Sequence, residues 1–508
     1  MTVRPWIVPG VRPGVDVSAR ARWGLLVAWA VVVCGCHMTS PAPVAERAAE
    51  PPVAASATGS APLLRVEGRH FVDPDGRVVL LRGVNLAGDS KVPPFLPLDD
   101  PAALDPLPAL GINAVRLLFL WEAYEPEPGE YDEAYLGRMV AIARAAWRRN
   151  LYVIVDFHQD GLSRWASRGC GAGFPAWALS PRARRAEPDN GCGCKGWVFH
   201  LVTDRDVHRS FADFYADVQG VRTRYLAMIG RVASAFADCP GVVGYDPLNE
   251  PWGNELEELA PLQRDAAAAL RSRHPGAILF IAGHGTTSCG IQTRLPRPGF
   301  GNFAYSPHYY LPHAVAMGAW DGVTRPLDHA FATMQAKADA WGVPLFVGEF
   351  GIGAEVRRSG DYVAALYDRL DQALASGAQW NYTPRWNEHA RDGWNAEDYS
   401  ILDHRSRARR NFQARPYAQK VAGVPRELKF QSAGLARGEP PRFECSWQHD
   451  PTRGATELYV PLALFPSGSS LTLDPPDTTC TRDDARQLLV IVIRASRATS
   501  VRVTLSAP

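Results

Sequence analysis

The sequence has almost no net charge. Lys and Arg number 54 against 53 Asp and Glu, leaving +1 over 508 residues. A chain so balanced offers a polyanion no field to follow, so nucleic acid is not an expected partner. The arginine clusters at 182–185 and 405–410 read as solvated faces. The sequence also lacks a membrane span at its N-terminus: the apolar run Leu25 to Val33 has nine residues, where a span needs about 20. Nor is there metal-ligand spacing around Cys192-Gly193-Cys194 and Cys170. The two-residue gap of a zinc knuckle is missing and no histidine pattern completes it, so neither metal nor cofactor is expected.

What is present at the N-terminus is a targeting pattern. Arg20 and Arg22 precede the nine-residue run, as charge precedes the apolar core of a signal peptide. Val33-Cys34-Gly35-Cys36 comes next and resembles the bacterial lipobox, with Cys36 at the lipidated position. An ordinary secretory signal is the alternative. Both readings export the chain, to the bacterial cell envelope as an outer-membrane or surface lipoprotein, or to the medium. Residues 37–62 are rich in Ala, Pro, Ser and Glu and cannot bury enough apolar surface to fold. They read as a disordered spacer. With Cys34 and Cys36 set aside, seven cysteines remain: Cys170, Cys192, Cys194, Cys239, Cys289, Cys445 and Cys480. In an exported chain disulfides persist. One is expected within the long loop holding Cys170, Cys192 and Cys194, and Cys445 with Cys480 would staple the C-terminal region.

From Leu64 the pattern turns globular. Val66 to Val72, an Asp73-Pro74-Asp75-Gly76 turn and Val78 to Leu81 read as a hairpin at the head of the main domain. Eight apolar runs then recur: Leu80 to Leu86, Ala114 to Leu120, Tyr152 to Phe157, Val242 to Leu248, Ala277 to Ala282, Phe303 to Tyr309, Pro344 to Phe350 and Ala378 to Tyr382. Helical spacings lie between several of them, such as Tyr135, Met139, Ile142, Ala146 and Leu256, Leu259, Leu262, Ala266, Leu270. This alternation predicts an α/β (β/α)8 TIM barrel over 63–423, with its chemistry at the C-terminal ends of the strands. The connection from His158 to Val242 is out of scale. Its aromatic residues, Trp165, Phe174, Trp177, Trp197, Phe199, Phe211, Phe214 and Tyr215, suit either a satellite core or an apolar surface for a lipid. The last segment, 424–508, has short β-rich runs without helical period and reads as a small β-sandwich.

Polar residues mark the barrel's strand ends. Arg116 falls on the second run, His158 closes the third, Asn249 and Glu250 come after the fourth, and His308 and Tyr310 close the sixth; Glu349 lies on the seventh and Trp380 on the eighth. Two glutamates at the ends of two buried strands are what retaining glycoside hydrolysis needs. Glu250 is read as the proton donor and later base, kept protonated by partial burial and a neighbouring carboxylate, and Glu349 as the nucleophile, held by Arg116 and Tyr310. Asn249 would bond the sugar 2-hydroxyl, His158 and His308 would bond sugar or glutamate, and Trp380 would floor the ring.

Asn249-Glu250-Pro251, His308 with Tyr310, and Gly348-Glu349-Phe350 resemble glycoside hydrolase family 5, the cellulase clan. Within it Gly88 to Pro94, His158-Gln159-Asp160 with Ser163-Arg164, Trp394 to Asp398, and Arg415-Pro416-Tyr417 resemble the endoglycoceramidase branch. The resemblance implies cleavage, with retention, of the bond between glycan and ceramide, and it implies that Lys91 and Asp160 bind the sugar next to the cut. Two stretches depart from the branch pattern, the cysteine-bearing insertion from Gly169 to Lys195 and Pro384-Arg385-Trp386. The expected partners are a glycolipid or β-glycan substrate and, through the lipid anchor, a membrane surface; the enzyme is expected to be a monomer. Rival readings are a β-glucosidase on glucosylceramide or steryl glucoside, an endo-β-glucanase, and a surface lipoprotein that binds glycolipid without cleaving it.

Overall fold

The structure is a computed structural model that describes residues 63–188, 194, 197–432, 440–476, 478–494 and 497–508. The leader with Cys36 and the spacer 37–62 lie outside the described residues, as does Cys192.

Eight parallel strands form the barrel: Arg82–Leu86, Ala114–Phe119, Tyr152–Phe157, Val242–Asp246, Ile278–Ile281, a split sixth, Phe346–Phe350 and Ser376–Tyr382. The sixth breaks at Ser306-Pro307. Phe303–Tyr305 pairs with the fifth strand, His308–Tyr309 pairs with the seventh, and Tyr305 bridges to Leu345, so the ring closes. Proline explains the break, since it has no N–H to give the ladder. Every residue of these strands is buried, which is why the sequence shows continuous apolar runs instead of alternation.

Helices cover the outside. Glu133–Trp147 starts at Asp132, whose side chain accepts from Tyr135 N–H, and it buries Tyr135, Met139, Ile142 and Ala146 on the spacing expected. After strand four the apolar face holds for Leu259, Leu262, Ala266 and Leu270, but Leu256 points to solvent.

The N-terminal hairpin differs from the expectation. Gly68, at φ +56°, turns the chain inside the run read as one strand, so Arg65–Glu67 pairs back on His70–Val72, and that strand pairs with Val78–Val79. Val78–Val79 in turn pairs with Tyr417–Val421, so the hairpin extends a seven-stranded sheet that runs on through Thr456–Tyr459, Leu488–Val492 and Thr479–Asp483. A four-stranded sheet, Gly423–Gln431, Arg442–His449, Thr499–Ser506 and Ser470–Asp474, packs over it around Trp447, Phe443, Leu458 and Val503. The sandwich thus recruits strands from both ends of the described chain. Leu64, Phe71, Val79 and Leu81 also plug the N-terminal mouth of the barrel, against Phe280 and Phe346.

The expected staple between Cys445 and Cys480 is not formed; both are free. They stand on strands of the two different sheets. Facing sheets lie about 10 Å apart, more than a disulfide spans. The loop disulfide is formed, Cys170 to Cys194.

Between strand three and its helix Val221–Phe236, the insertion adds helices Trp197–Thr203 and Arg205–Tyr215. Phe174, Phe211, Phe214 and Tyr215 are buried, with Phe174 stacked on Tyr225 at 5.5 Å and set edge-on to Trp121 at 5.0 Å. Those four aromatics are continuous with the barrel's main hydrophobic core, so they form neither a separate satellite core nor an exposed apolar surface.

Candidate active site

Arg116, on strand two, is the hub. Its guanidinium is 1% exposed and donates to Glu349 Oε1 at 2.7 Å, Asn85 Oδ1 at 3.0 Å, Asp246 Oδ2 at 2.8 Å and Asn249 Oδ1 at 2.9 Å, with Asp156 Oδ1 at 2.8 Å. Burial works against the charge, but Asp156, Asp246 and Glu349 outweigh it and hold the proton more firmly than in water. One cation on strand two thereby fixes groups from strands one, three, four and seven.

Glu349 is held on both oxygens, by Arg116 and by the Tyr310 hydroxyl at 2.9 Å. Gly348 before it must lack a side chain, because a Cβ there would stand 2.8 Å from His308 Nε2 and 2.9 Å from Ser306 Oγ. Glu250, just past the fourth strand, adopts φ +38°, a strained setting for a residue with a side chain. Its Oε1 accepts from Ser288 Oγ at 2.5 Å and from His308 Nδ1 at 2.8 Å. His308 Nδ1 also lies 3.6 Å from Glu349 Oε2. Oxygens of the two glutamates and the His308 nitrogen fall within 4.8 Å of one another. Three such atoms suit a cation in principle, but each carboxylate already has charged or hydroxyl donors. The group is built to place protons.

The protonation expected for Glu250 is corrected by this arrangement. Burial does favour its neutral form, yet the hydrogen bond and charge of His308, with Ser288, prevail and lower its pKa. Burial opposes charge on His308 as well, and there Glu349 and Glu250 win and raise it. The two groups thus share a 2.8 Å hydrogen bond that raises the proton affinity of the imidazole and lowers that of the carboxylate.

Around the glutamates lies a second cluster. Lys91 is buried in the turn Gly88–Lys91. Its Nζ lies 2.6 Å from Asp160 Oδ2 and over the rings of Trp380 and Trp394, at 4.3 and 3.9 Å from their centroids. His158 bonds Asp156 at 2.7 Å through Nδ1 and Asp160 at 3.1 Å through Nε2, and stacks on Trp380 at 5.7 Å. Trp380 Nε1 donates to Glu397 Oε2 at 3.1 Å. Burial pushes Glu397 up to about 8 against the pull of Lys91. All the residues proposed from sequence therefore converge, apart from Cys36, which lies outside the described residues. Asp156, Asp246, Asn85 and Ser288 join them without having been singled out, and so do Trp394 and Glu397 of the motif Trp394 to Asp398, to which no role had been given. Aspartates ending the apolar runs Val153 to Asp156 and Val242 to Asp246 are a usable signal, since a buried charge requires a partner.

His158 links the site to stability. Burial lowers its proton affinity, but Asp156 and Asp160 raise the pKa to about 9, above the ordinary 6.5. A raised folded-state pKa gives stability that is complete below pH 6.5 and lost as pH climbs through about 9. The melting temperature is expected to fall by several degrees between pH 6.5 and 9.5, and His158→Gln is expected to flatten that slope. An unchanged slope in the variant would assign the loss to other groups.

Residues 72–385 match the family model described as cellulase (glycosyl hydrolase family 5). The chain belongs to glycosyl hydrolase family 5. Residues 415–505 of this family 5 enzyme match the glycoside hydrolase family 5 C-terminal domain, the span that forms most of the sandwich. Endoglycoceramidase I of Rhodococcus hoagii (strain 103S) is 26% identical over 472 residues, covering 87% of this chain and 88% of that protein. The structures of endo-glycoceramidase II from Rhodococcus sp. as a lactosyl-enzyme intermediate and as a ganglioside GM3 complex superpose with TM-scores of 0.71 and 0.72. Both are 25% identical and cover 87% of this chain and 100% of that one. A glucosylceramidase of Aspergillus fumigatus is 37% identical over 141 residues, 23% of this chain and 18% of that one. The family 5 enzyme is a retaining O-glycosidase, in keeping with a carboxylate pair at the short separation that retention requires.

Proposed function

We propose that the enzyme hydrolyses the β-glycosidic bond joining sugar to ceramide in glycosphingolipids, with Glu349 as nucleophile and Glu250 as acid and base. The observation carrying this is the carboxylate pair within 4.8 Å, one oxygen of it bonded to His308 and the other glutamate clamped by Arg116 and Tyr310. Glu349 attacks the anomeric carbon while Glu250, re-protonated across its bond to His308, protonates the departing ceramide oxygen. Water then attacks the glycosyl ester, giving its proton to Glu250. Arg116 offsets the nucleophile's charge in the resting enzyme, and Asn249, Lys91, His158 and Asp160 meet the sugar hydroxyls over Trp380.

The segments after strands four to six support a lipid leaving group. Leu256, Ile291, Val315, Met317 and Val323 are exposed there, in segments that follow the same strands as Glu250, Ser288 and Tyr310. The likeness to endoglycoceramidases over most of the chain supports a glycan–ceramide bond, and the shorter likeness to a glucosylceramidase supports a single sugar on the same aglycone. A panel of ganglioside, lactosylceramide, glucosylceramide, steryl glucoside and cello-oligosaccharide tests it. Ceramide and free sugar are the expected products; cleavage of the cello-oligosaccharide alone would sink the reading, and no hydrolysis of any of them, nor of an aryl β-glycoside, would leave a binding protein.

Export and tethering through Cys36 belong to the same proposal. The disulfide Cys170–Cys194 supports an oxidising compartment, and among the described residues no helix is long and apolar enough to cross a membrane. Labelled palmitate is expected to enter the protein in a bacterial host, and Cys36→Ala to abolish the label and release the enzyme from the membrane fraction. Equal labelling of the variant would rule out Cys36 as the anchor.

A further inference from the structure

Exposure is unevenly distributed around the two glutamates. The Glu250 side chain, which faces the leaving group, is 17% exposed, whereas Lys91 and Asp160, on the sugar side, are 2% and 6% exposed. Trp394, with its ring over Lys91, is 1% exposed. No sugar is needed to cover these groups, because the protein itself does so.

The cover comes from the insertion after strand three. It turns straight back on the site: Asp160 and Ala172 exchange both backbone hydrogen bonds, at 2.9 and 2.8 Å. Gly171 and Gly173 permit this close return, since a Cβ on Gly171 would stand 2.5 Å from Asp160 O and one on Gly173 would stand 2.7 Å from His158 O. The Cys170 carbonyl then accepts from Asn395 Nδ2 at 3.3 Å, and its disulfide to Cys194 ties that turn to the helix Trp197–Thr203. Trp197, the first residue of this helix, packs edge-on against Trp394 at 4.8 Å. The insertion and the loop after strand eight thus meet over the Lys91–Asp160 pair, and the disulfide holds them together.

We infer that this disulfide-tied wall closes the sugar side of the pocket after one residue, so that the enzyme removes a single hexose from its lipid and excludes longer head groups. This deepens the function proposed above and rests on it. A second sugar, linked through the 4-hydroxyl of the first, must extend away from the cleaved bond, into the volume that Trp394, Asn395 and Cys170 occupy. The leaving group departs past Glu250, whose side chain reaches solvent. The exposed apolar residues lie in segments that follow the same strands, so the pocket admits a long lipid while limiting the glycan.

The test compares an aryl β-glucoside with the matching aryl β-lactoside, reading aryl release and the free sugar. The wild-type enzyme is expected to cleave the glucoside at least about 100-fold faster in kcat/KM. Cys170→Ser with Cys194→Ser, which touches no group in the reaction, is expected to keep glucoside cleavage and raise the lactoside-to-glucoside ratio about 10-fold, with intact lactose released. Trp197→Ala provides the same opening should the double variant fail to fold. Comparable rates on both glycosides in the wild type would overturn the inference while leaving the glycosidase assignment intact, and so would an unchanged ratio in folded variants. Failure on both glycosides would instead end the glycosidase assignment and the inference with it.

Discussion

Glu349→Gln is expected to lower kcat on the order of 10⁴-fold or more and to leave the fold in place. Glutamine preserves the shape of the side chain, and its amide oxygen can still accept from Arg116 while its N–H donates to the Tyr310 hydroxyl, but it carries no charge to attack the anomeric carbon. The lost ion pair is not the only partner of the buried cation: Arg116 keeps Asp156 and Asp246 at 2.8 Å each. A buried charge stripped of every partner would cost several kcal/mol, and here most of its compensation survives. Two readouts separate chemistry from folding. Turnover of an aryl β-glucoside should vanish while the melting temperature moves little. A 2-fluoro glycoside, which slows breakdown of the intermediate, should add one sugar mass to the wild type on Glu349 and none to the variant. Full activity, or a label on another residue, would end the assignment of Glu349 as nucleophile.

Why the sequence shows this site so well, and its closure so poorly, lies in how each is built. A barrel strand is a short continuous apolar run, so a polar residue within or just after it stands out. Arg116, Asn249, Glu250 and Glu349 are visible for that reason, and fold periodicity then brings them to one rim. The wall over Lys91 has no such signature. Asn395 is 225 positions from Cys170 in the chain, and their meeting depends on loops without a period. The same holds for Ser288, which lies in the turn Gly285–Cys289 and is recognisable only through its bond to Glu250. The sandwich shows a different limit. Alternation and turn residues mark its C-terminal strands, but pairing is non-local, so nothing in Val78-Val79 announces Lys420 and Val421 as neighbours. The cysteines meet a related one. Spacing says which sulfurs are near in the chain, whereas sheet membership decides which can bond, and Cys445 and Cys480 belong to facing sheets.

The protonation state of Glu250 is the least legible feature, and it sets the second large effect. Burial beside another carboxylate argues for a neutral acid; the geometry adds His308 and Ser288, which reverse the balance. The proton that the leaving group needs is then shared by a pair, Glu250 and His308, across a 2.8 Å hydrogen bond. With Glu250→Gln that path is cut. Cleavage of a glycolipid, whose alkoxide is a poor leaving group, should fall about 10³-fold. A dinitrophenyl glycoside leaves without help, so the first step should stay fast. The second step still lacks a base to activate water, so the glycosyl-enzyme should accumulate: a burst of one dinitrophenolate per enzyme, then slow turnover. Azide needs no base, and adding it should restore turnover with glycosyl azide as the product. The pH profile should change with it. In the wild type, glycolipid cleavage declines on the alkaline side as the shared proton is lost; in the variant the dinitrophenyl burst should have no such limb, because no proton is transferred. A variant that lost both substrates equally, with neither burst nor rescue, would show that Glu250 acts on binding and not on the proton.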